Sequence, residues 1–311
     1  MVRFTTLALS TAAALPGAMA WGAMGHETVA YIASNYVSSA TKSYFQGLLG
    51  DTSANYLASV AAWADSYRYT TAGKFSAPYH YIDANDNPPS TCGVSMDRDC
   101  GTEGCVVRAL QNYTSILLAQ TATNANLQIA AKMIIHFAGD IGQPLHCEAL
   151  EVGGNDIDVS YDGDDTNLHA IWDSQIPESI SGGSSLTTAK SWATTLIKGI
   201  FPFPPSPYLK HNPIPNKPTE IDSGDYKSAA AGWVSGLSVA SSTTQTATAL
   251  KWATESNAYV CSTVLKGGVS AVENQDLSGD YTTAAQPVVG LQIAKQGYRL
   301  AKWLDAIVAA M

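Results

Sequence analysis

Residues 127–141 have the sequence LQIAAKMIIHFAGDI, in which nearly every side chain is apolar or small and Lys132 carries the only fixed positive charge. This composition predicts a helix that is buried on most sides. His136 and Asp140 conflict with such an environment, and their spacing of four residues places them on one helical face. They need a partner or a metal ion, because an unsatisfied buried charge costs several kcal/mol.

The same spacing recurs at His169 and Asp173, where Asn167 is a candidate N-cap. One such pair alone is explained by a structural hydrogen bond, but two in one chain favour metal chemistry. Further candidate ligands are His26, Asp65, His80 and His146, whereas His211 lies apart in a proline-rich stretch. Imidazoles and carboxylates without thiolates are a ligand set that suits zinc at a catalytic site.

Most of the remaining chain also has helical spacing of apolar residues. Further helices are predicted at Thr187–Ile200, Thr246–Leu265 and Gln286–Ala309. Alternation at Ile157, Val159 and Tyr161, before Asp162-Gly163, predicts a minor β-hairpin. Seven prolines between residues 202 and 218 predict a surface loop at 201–218, for which a linker between domains is the alternative.

The first twenty residues predict a signal peptide. Arg3 precedes an apolar run from Phe4 to Leu15, and the stretch ends in Ala18-Met19-Ala20. The run is shorter than the ~20 residues of a membrane span, which disfavours a membrane anchor. We therefore expect a secreted protein of residues 21–311 that begins at Trp21.

Composition limits the class of protein. The 311 residues are 46% hydrophobic and 14% charged, with a formal net charge of −9. These values fit one large or two ordinary globular domains and exclude a disordered chain. They also exclude binding of nucleic acid through a wide basic surface.

A secreted protein would expose its five cysteines to an oxidising compartment, where thiols usually form disulfides. Because five is an odd number, we expect one of them to stay free. Cys100 and Cys105 are close enough in sequence for a local bridge, and the other pairing stays open at this point. The sequon Asn112-Tyr113-Thr114 predicts a glycan on Asn112, unless the sequon is unused.

Several dispersed motifs together resemble those of the secreted fungal zinc-dependent nucleases of the S-one and P-one type. The motifs are Trp21-Gly22, His26-Glu27, Trp63-Ala64-Asp65, Tyr79-His80, His136 with Gly139-Asp140, Gln143-Pro144-Leu145-His146, Gly153-Gly154-Asn155 and His169 to Asp173. The resemblance covers nearly the whole mature chain in the same order. It implies a single all-α domain, of the fold shared with zinc-dependent phospholipase C, that holds three zinc ions.

The implied activity is cleavage of single-stranded DNA and RNA to 5′-mononucleotides, with removal of 3′-phosphates from nucleotides. Zinc-activated water would attack phosphorus in line. The implied enzyme is a monomer without a membrane partner. Binding through metal ions would reconcile an acidic chain with a phosphate substrate.

The resemblance also assigns ligands to the three ions. One zinc would bind Asp65, His80, His136 and Asp140, and a second would bind His146, His169 and Asp173. The third would bind His26, Asp140 as a bridge, and the amino group and carbonyl oxygen of Trp21. Because an acylated nitrogen does not bind metal, this third site would require removal of the signal peptide.

Catalytic and substrate roles are implied in the same way. Asp65 and Arg68 are the catalytic candidates, with Arg68 neutralising charge in the transition state unless it is a plain surface cation. Bases would bind at Tyr81, Asp83, Val152 and Asn155. Tyr81 stands where relatives often have Phe, and a stacked base contributes ~1–3 kcal/mol. Packing in the core is the alternative role of Tyr81.

The resemblance further implies disulfides Cys92–Cys261 and Cys100–Cys105, which leaves Cys147 free beside the ligand His146. Relatives tend to have an acidic residue at position 147, and a thiol there could perturb the site. Two other functions compete with a nuclease: a zinc-dependent phospholipase C and a non-catalytic zinc-binding protein. Asp83, Asn155 and the lack of an amphipathic membrane-binding stretch argue against the phospholipase.

Overall fold

The computed structural model describes residues 21–200 and 226–311. The predicted signal peptide at 1–20 and the predicted proline-rich loop at 201–218, with His211, lie outside the described residues. The helices of the described part are α1 (Ala23–Tyr36), α2 (Ser39–Leu49), α3 (Ala58–Ala61), α4 (Trp63–Tyr67), α5 (Met96–Asp99), α6 (Val106–Ala119), α7 (Asn124–Asp140), α8 (Leu168–Ala170), α9 (Ile176–Ser181), α10 (Leu186–Ile200), α11 (Tyr226–Trp233), α12 (Ser242–Tyr259) and α13 (Asp280–Ala309).

Shorter helical turns connect several of these helices. The 3₁₀ helices are Lys74–His80, Pro144–Cys147 and Val269–Ala271, and the π-helical turns are Ile171–Gln175 and Val260–Val264. Strands β1 (Asp158–Tyr161) and β2 (Asp164–Asn167) pair antiparallel, with Tyr161 opposite Asp164 across the Asp162-Gly163 turn. The predicted all-α fold with a minor hairpin is therefore confirmed.

Helix α7 runs through the core, as residues 127–141 predict. Each residue from Met133 to Asp140 is buried. The helix begins at Asn124, because the Thr123 side chain accepts a hydrogen bond from the backbone N–H of Asn126 and caps the first turn. Around it, α6 packs on both α7 and α12, while α1 packs on α10 and α13.

Several helix boundaries differ from the predictions, including the starts of α10 at Leu186 and of α12 at Ser242. Helix α12 ends at Tyr259 and passes into the π-helical turn at Val260–Val264, so the predicted end at Leu265 is wrong in detail. Helix α13 begins at Asp280 instead of Gln286. Its first turn, Asp280 to Thr283, is polar, so apolar spacing does not mark it, and the charge of Asp280 complements the helix dipole there.

The disulfides are Cys92–Cys261 and Cys100–Cys105, which is the pairing that the resemblance implies. Cys147 is free and buried. Its Sγ lies 3.7 Å from the carbonyl oxygen of Ile141. Within the described ranges, no helix has the length and apolar character needed to cross a membrane.

Candidate metal centre

The last turns of α7 bring His136 and Asp140 together, with 3.2 Å between Nε2 of His136 and Oδ2 of Asp140. Nδ1 of His136 lies 2.7 Å from the carbonyl oxygen of Ala61. Because a carbonyl oxygen can only accept, Nδ1 carries a proton, and Nε2 is the nitrogen that can take either a second proton or a metal ion beside Asp140. A backbone partner of this kind fixes the orientation of a metal-binding imidazole.

Asp65 of α4 and His80, at the end of the first 3₁₀ helix, reach the same point. Nδ1 of His80 lies 3.0 Å from Nε2 of His136 and 3.1 Å from Oδ2 of Asp140. Oδ1 of Asp65 lies 3.4 Å from Nε2 of His136 and 3.8 Å from Nδ1 of His80. We call Asp65, His80, His136 and Asp140, together with His26, the Asp140 cluster.

These residues fit a metal ion because they supply acceptors and lack donors. Both carboxylate oxygens of Asp65 and of Asp140 are buried without a hydrogen-bond partner. Burial lowers the pKa of His80 to about 4, so this imidazole is neutral and its lone pair is available. Lone pairs this close repel one another unless a cation lies between them, and nitrogen and oxygen ligands of this kind suit zinc.

Electrostatics of the cluster also favour positive charge. Burial alone would lower the pKa of His136, but the carboxylates of Asp140 and Asp65 outweigh it and raise the pKa to about 10. Burial would raise the pKa of Asp140, yet the neighbouring His136 holds it well below its usual range. Without a metal, a proton takes the place of the cation, and metal binding displaces that proton.

His26 approaches the other oxygen of Asp140, with 3.1 Å between Nε2 and Oδ1. The two oxygens of Asp140 therefore face different imidazoles, which is the geometry of a bridging carboxylate. The His26 ring stacks on His136 with 3.9 Å between centroids. This approach requires glycine at position 139, since a Cβ there would lie 2.6 Å from Nδ1 of His26. Trp21 is fully buried just before α1, the helix that carries His26.

A second group, the Asp173 cluster, consists of His146, His169 and Asp173. Nε2 of His169 lies 3.1 Å from Nε2 of His146 and 3.1 Å from Oδ2 of Asp173. Asn167 caps α8 as predicted, because its side chain accepts from the N–H of Ala170. Asp173 lies in the π-helical turn that follows, and its Oδ1 accepts a hydrogen bond of 2.7 Å from Nε2 of Gln143.

Backbone carbonyl groups orient both imidazoles of the Asp173 cluster. Nδ1 of His146 donates to the carbonyl oxygen of His80 at 2.7 Å, which links the two clusters. Nδ1 of His169 donates to the carbonyl oxygen of Gly153 at 2.6 Å. Gly153 belongs to a left-handed turn, Glu151–Gly154, whose φ angles are 48°, 54°, 61° and 79°. Sequence reasoning noted the motifs of Gln143 and Gly153 but gave neither residue a role in orienting a ligand.

The proposed base-binding residues lie on an extended segment and on the left-handed turn. Ile82 donates to the carbonyl oxygen of His146 at 2.9 Å, and the carbonyl oxygen of Tyr81 accepts from Val106 at 2.9 Å. Tyr81 is 37% exposed whereas Ile82 is buried, so the alternative of Tyr81 as a core residue is wrong. Asp83 is also exposed.

Val152 is 64% exposed. Nδ2 of Asn155 donates to the carbonyl oxygen of Val152 at 2.7 Å, which holds Asn155 beside the left-handed turn. Arg68 directly follows α4. Burial would lower the pKa of His169, but the charge and hydrogen bond of Asp173, with the backbone hydrogen bond to Gly153, raise it overall. Arg68 is three residues after Asp65, so the two side chains lie on one side of α4 and its end.

The predicted glycosylation site lies on α6. Asn112 is exposed there, while Thr114 of the same sequon is buried and its hydroxyl accepts a hydrogen bond of 2.9 Å from Trp303. The glycan stays a prediction.

A helical domain that gathers eight buried imidazoles and carboxylates into adjacent clusters defines a metal-binding protein of the all-α class. Comparison with known proteins gives the particular family. Residues 21–309 match the family described as S1/P1 Nuclease, and the chain belongs to this family.

Individual relatives agree with this assignment. The chain is 47% identical to Nuclease S1 of Aspergillus oryzae over 309 residues, which are 99% of each chain. It is 44% identical to Nuclease P1 of Penicillium citrinum over 287 residues, 92% of this chain and 97% of the relative. Endonuclease 4 of Arabidopsis thaliana is 30% identical over 306 residues, 94% of this chain and 91% of the relative. The resemblance in the motifs and the enzyme class of nuclease are thus confirmed.

Proposed function

We propose that this nuclease is a secreted, zinc-dependent enzyme that cuts single-stranded DNA and RNA to 5′-phosphorylated products and removes 3′-phosphates from nucleotides. The observation that carries the proposal is Asp140, whose two buried oxygens lack hydrogen-bond donors and face separate imidazoles. A bridging carboxylate of this kind supports metal ions close enough to act on one phosphate. Bound zinc supplies Lewis-acid chemistry that polarises water and phosphate oxygens.

In this proposal three zinc ions are shared among the clusters. One binds Asp65, His80, His136 and Asp140. The next binds His146, His169 and Asp173. The last binds His26, Asp140 and the backbone of Trp21. The carbonyl groups of Ala61, His80 and Gly153 hold the imidazoles in the tautomer whose lone pair points to the ion.

The residues around the clusters orient the substrate. Arg68 lies three residues after Asp65 at the end of α4, where a guanidinium can stabilise charge that develops on the phosphate. Tyr81 presents an exposed ring on which an unpaired base can stack, and Asp83 presents an exposed carboxylate that can accept from a base edge. Stacking needs a free base face, which explains a preference for single strands.

Secretion and processing are part of the same proposal. The signal-peptide pattern of residues 1–20 and the two disulfides support an oxidising destination. Cleavage after Ala20 would free the amino group of Trp21 as a ligand. A mature protein with one residue added before Trp21 should bind one zinc ion fewer, and unchanged zinc content would contradict this ligand.

The central experiment measures hydrolysis of single- and double-stranded DNA, of RNA and of adenosine 3′-monophosphate, with zinc content determined on the same sample. We expect single strands to be cut much faster than duplex, activity to disappear with a chelator, and zinc to restore it. Hydrolysis of phosphatidylcholine and not of nucleic acid would show that the protein is a phospholipase. Zinc binding without any turnover would leave a non-catalytic protein.

A further inference from the structure

Exposed aromatic rings are concentrated around the metal centre. In the part of the chain that the structure describes, the exposed large hydrophobic residues are Tyr69 (65%), Phe75 (52%), Tyr81 (37%), Val152 (64%) and Met311 (46%). Apart from the terminal Met311, all of them lie on segments next to metal ligands. The base pocket of the proposed function uses Tyr81 and Val152. Neither that pocket nor the core explains why Tyr69 and Phe75 are exposed.

Charge distinguishes the same segment from the rest of the protein. Residues 66–82 contain the cations Arg68 and Lys74 and no aspartate or glutamate, although the whole chain carries a net charge of −9 and the segment lies between Asp65 and Asp83. Lys74 is exposed next to Phe75. Cations interleaved with exposed aromatic rings are a composition that binds single-stranded nucleic acid.

Tyr69 is tied to the metal centre through Arg68. The guanidinium carbon of Arg68 lies 5.1 Å from the centroid of the Tyr69 ring, and its Nη2 donates to the Tyr69 hydroxyl at 3.1 Å. Arg68 is three residues after the ligand Asp65 and ends α4, where its backbone N–H donates to the carbonyl oxygen of Ala64 at 3.1 Å. Side chains three residues apart share one side of a helix, so Arg68 and the Tyr69 ring that it contacts lie next to the ligand Asp65.

Phe75 lies in the first turn of the 3₁₀ helix that ends at the ligand His80. At a rise of about 2 Å per residue, the two residues are about 10 Å apart along the helix axis. The Phe75 ring packs edge-on against Tyr79, with 5.9 Å between centroids. The ring is thus held in place while about half of it faces solvent.

Side-chain hydrogen bonds stabilise the turn between the two rings. The Thr70 hydroxyl donates to the carbonyl oxygen of Tyr67 at 2.7 Å, and the Tyr67 hydroxyl donates to that of Ala72 at 3.2 Å. Because these bonds order the turn before substrate arrives, binding on it loses little conformational entropy.

We propose that Arg68, Tyr69, Lys74 and Phe75 form an aromatic rim, a second stacking subsite that binds the nucleotides of a single-stranded polynucleotide next to the one held at Tyr81. The inference rests on the proposed function and adds a preference for chain length. Its ligand class is an unpaired oligonucleotide, whose neighbouring bases stack on Tyr69 and Phe75 and whose phosphates approach Arg68 and Lys74. A mononucleotide in the Tyr81 pocket does not reach the rim.

The test compares two substrates in each variant: a single-stranded oligodeoxynucleotide and adenosine 3′-monophosphate. Tyr69→Ala and Phe75→Ala should each raise the ratio of the oligonucleotide KM to the mononucleotide KM by about 5-fold or more, as expected for loss of one stacked base. Tyr44→Ala is the control, because this half-buried ring lies on α2, which contacts the opposite end of α7 through Leu48 and Gln128. It should leave the ratio unchanged.

Variants of Phe75 separate stacking from folding. Phe75→Tyr keeps a ring and should retain the ratio of the unaltered enzyme, whereas Phe75→Leu keeps apolar bulk without a π face and should raise it. An unchanged ratio in both alanine variants, or equal behaviour of the Tyr and Leu variants, would overturn the rim. Failure of the proposed function looks different, since the unaltered enzyme would then turn over neither substrate.

Discussion

The Asp140 cluster and the Asp173 cluster are built from the same residue types but differ in how their carboxylates are satisfied. Asp65 and Asp140 place four buried oxygens in the first cluster without a hydrogen-bond donor. Asp173, the only carboxylate of the second cluster, accepts a hydrogen bond from Gln143. The first cluster therefore needs a cation to offset two negative charges, while the second is partly satisfied by the protein itself.

The two clusters also differ in the secondary structure that carries their residues. His136 and Asp140 lie on α7, a regular helix of 17 residues in the core. The second cluster is assembled from a 3₁₀ helix, a left-handed turn and a π-helical turn, although its residues are buried like those of the first. We therefore expect a metal ion to be held more tightly by the Asp140 cluster than by the Asp173 cluster.

The largest expected effect comes from replacing the two central carboxylates separately. Asp140→Asn should remove two zinc ions and abolish hydrolysis of single-stranded DNA, because both of its oxygens face ligand groups. Asp173→Asn should remove one zinc ion. Loss of a group that only hydrogen-bonds to a metal ligand lowers metal affinity by about 10–100-fold. Because each variant removes a ligand itself, zinc affinity should fall by more than that. Metal analysis of the purified variants measures the difference, and equal losses would contradict a bridging role for Asp140.

Graded chelation should separate the clusters next. We expect low chelator concentrations to remove zinc from the Asp173 cluster and abolish activity while the Tm changes little. Higher concentrations should empty the Asp140 cluster and lower the Tm strongly, since a ligand at 1,000 times its Kd adds about 4 kcal/mol of stability. Simultaneous loss of all ions and of stability would show that the two clusters bind metal as one unit.

A smaller effect is expected at the left-handed turn. Gly153→Ala places a Cβ 2.7 Å from the carbonyl oxygen of Leu145 at a φ of 61°, which should shift the carbonyl group that holds His169. Zinc affinity at the Asp173 cluster should fall by about 10–100-fold. Both that affinity and the free energy of unfolding are measured.

Gly163→Ala is the matched control, because Gly163 has a φ of 85° and no neighbour within 4 Å of an added Cβ. It should cost about 1 kcal/mol of stability and leave zinc binding unchanged. If both variants bind zinc normally, the carbonyl group of Gly153 does not position His169.

The smallest effect is expected at Cys147, the free thiol that follows the ligand His146. Its Sγ faces the carbonyl oxygen of Ile141, and burial raises the pKa of the thiol well above its usual range. Cys147→Ala should keep every zinc ion, change activity less than twofold and cost about 1 kcal/mol. Native Cys147 should also resist thiol reagents until the protein unfolds. Loss of zinc in the alanine variant would instead support a thiol that perturbs the site.

Local patterns were sufficient for part of this architecture. The spacing of His136 with Asp140 and of His169 with Asp173 predicted two pairs that do lie on single helical faces. Alternation before Asp162-Gly163 predicted the hairpin correctly. These features depend on residues a few positions apart, where helix and strand periodicity fix relative direction.

Other features could not be predicted from such patterns. The exposure of Tyr69 and Phe75 has no periodic signal, because it depends on a turn braced by its own side chains. The grouping of Asp65 with α7 came from resemblance to a family and not from spacing. No local rule relates residues that approach only when distant segments pack.

The amino-acid sequence by itself determined the chemistry of the ligands, the helical faces that carry two of the pairs and the family of the protein. Tertiary structure alone decided which atoms share a cluster and how each imidazole is oriented. His136 takes its orientation from Ala61, 75 residues away, and His146 takes its own from His80, 66 residues away. The physical reason is that a backbone carbonyl group has no residue type, so its role appears only where the folded chain places it beside an imidazole.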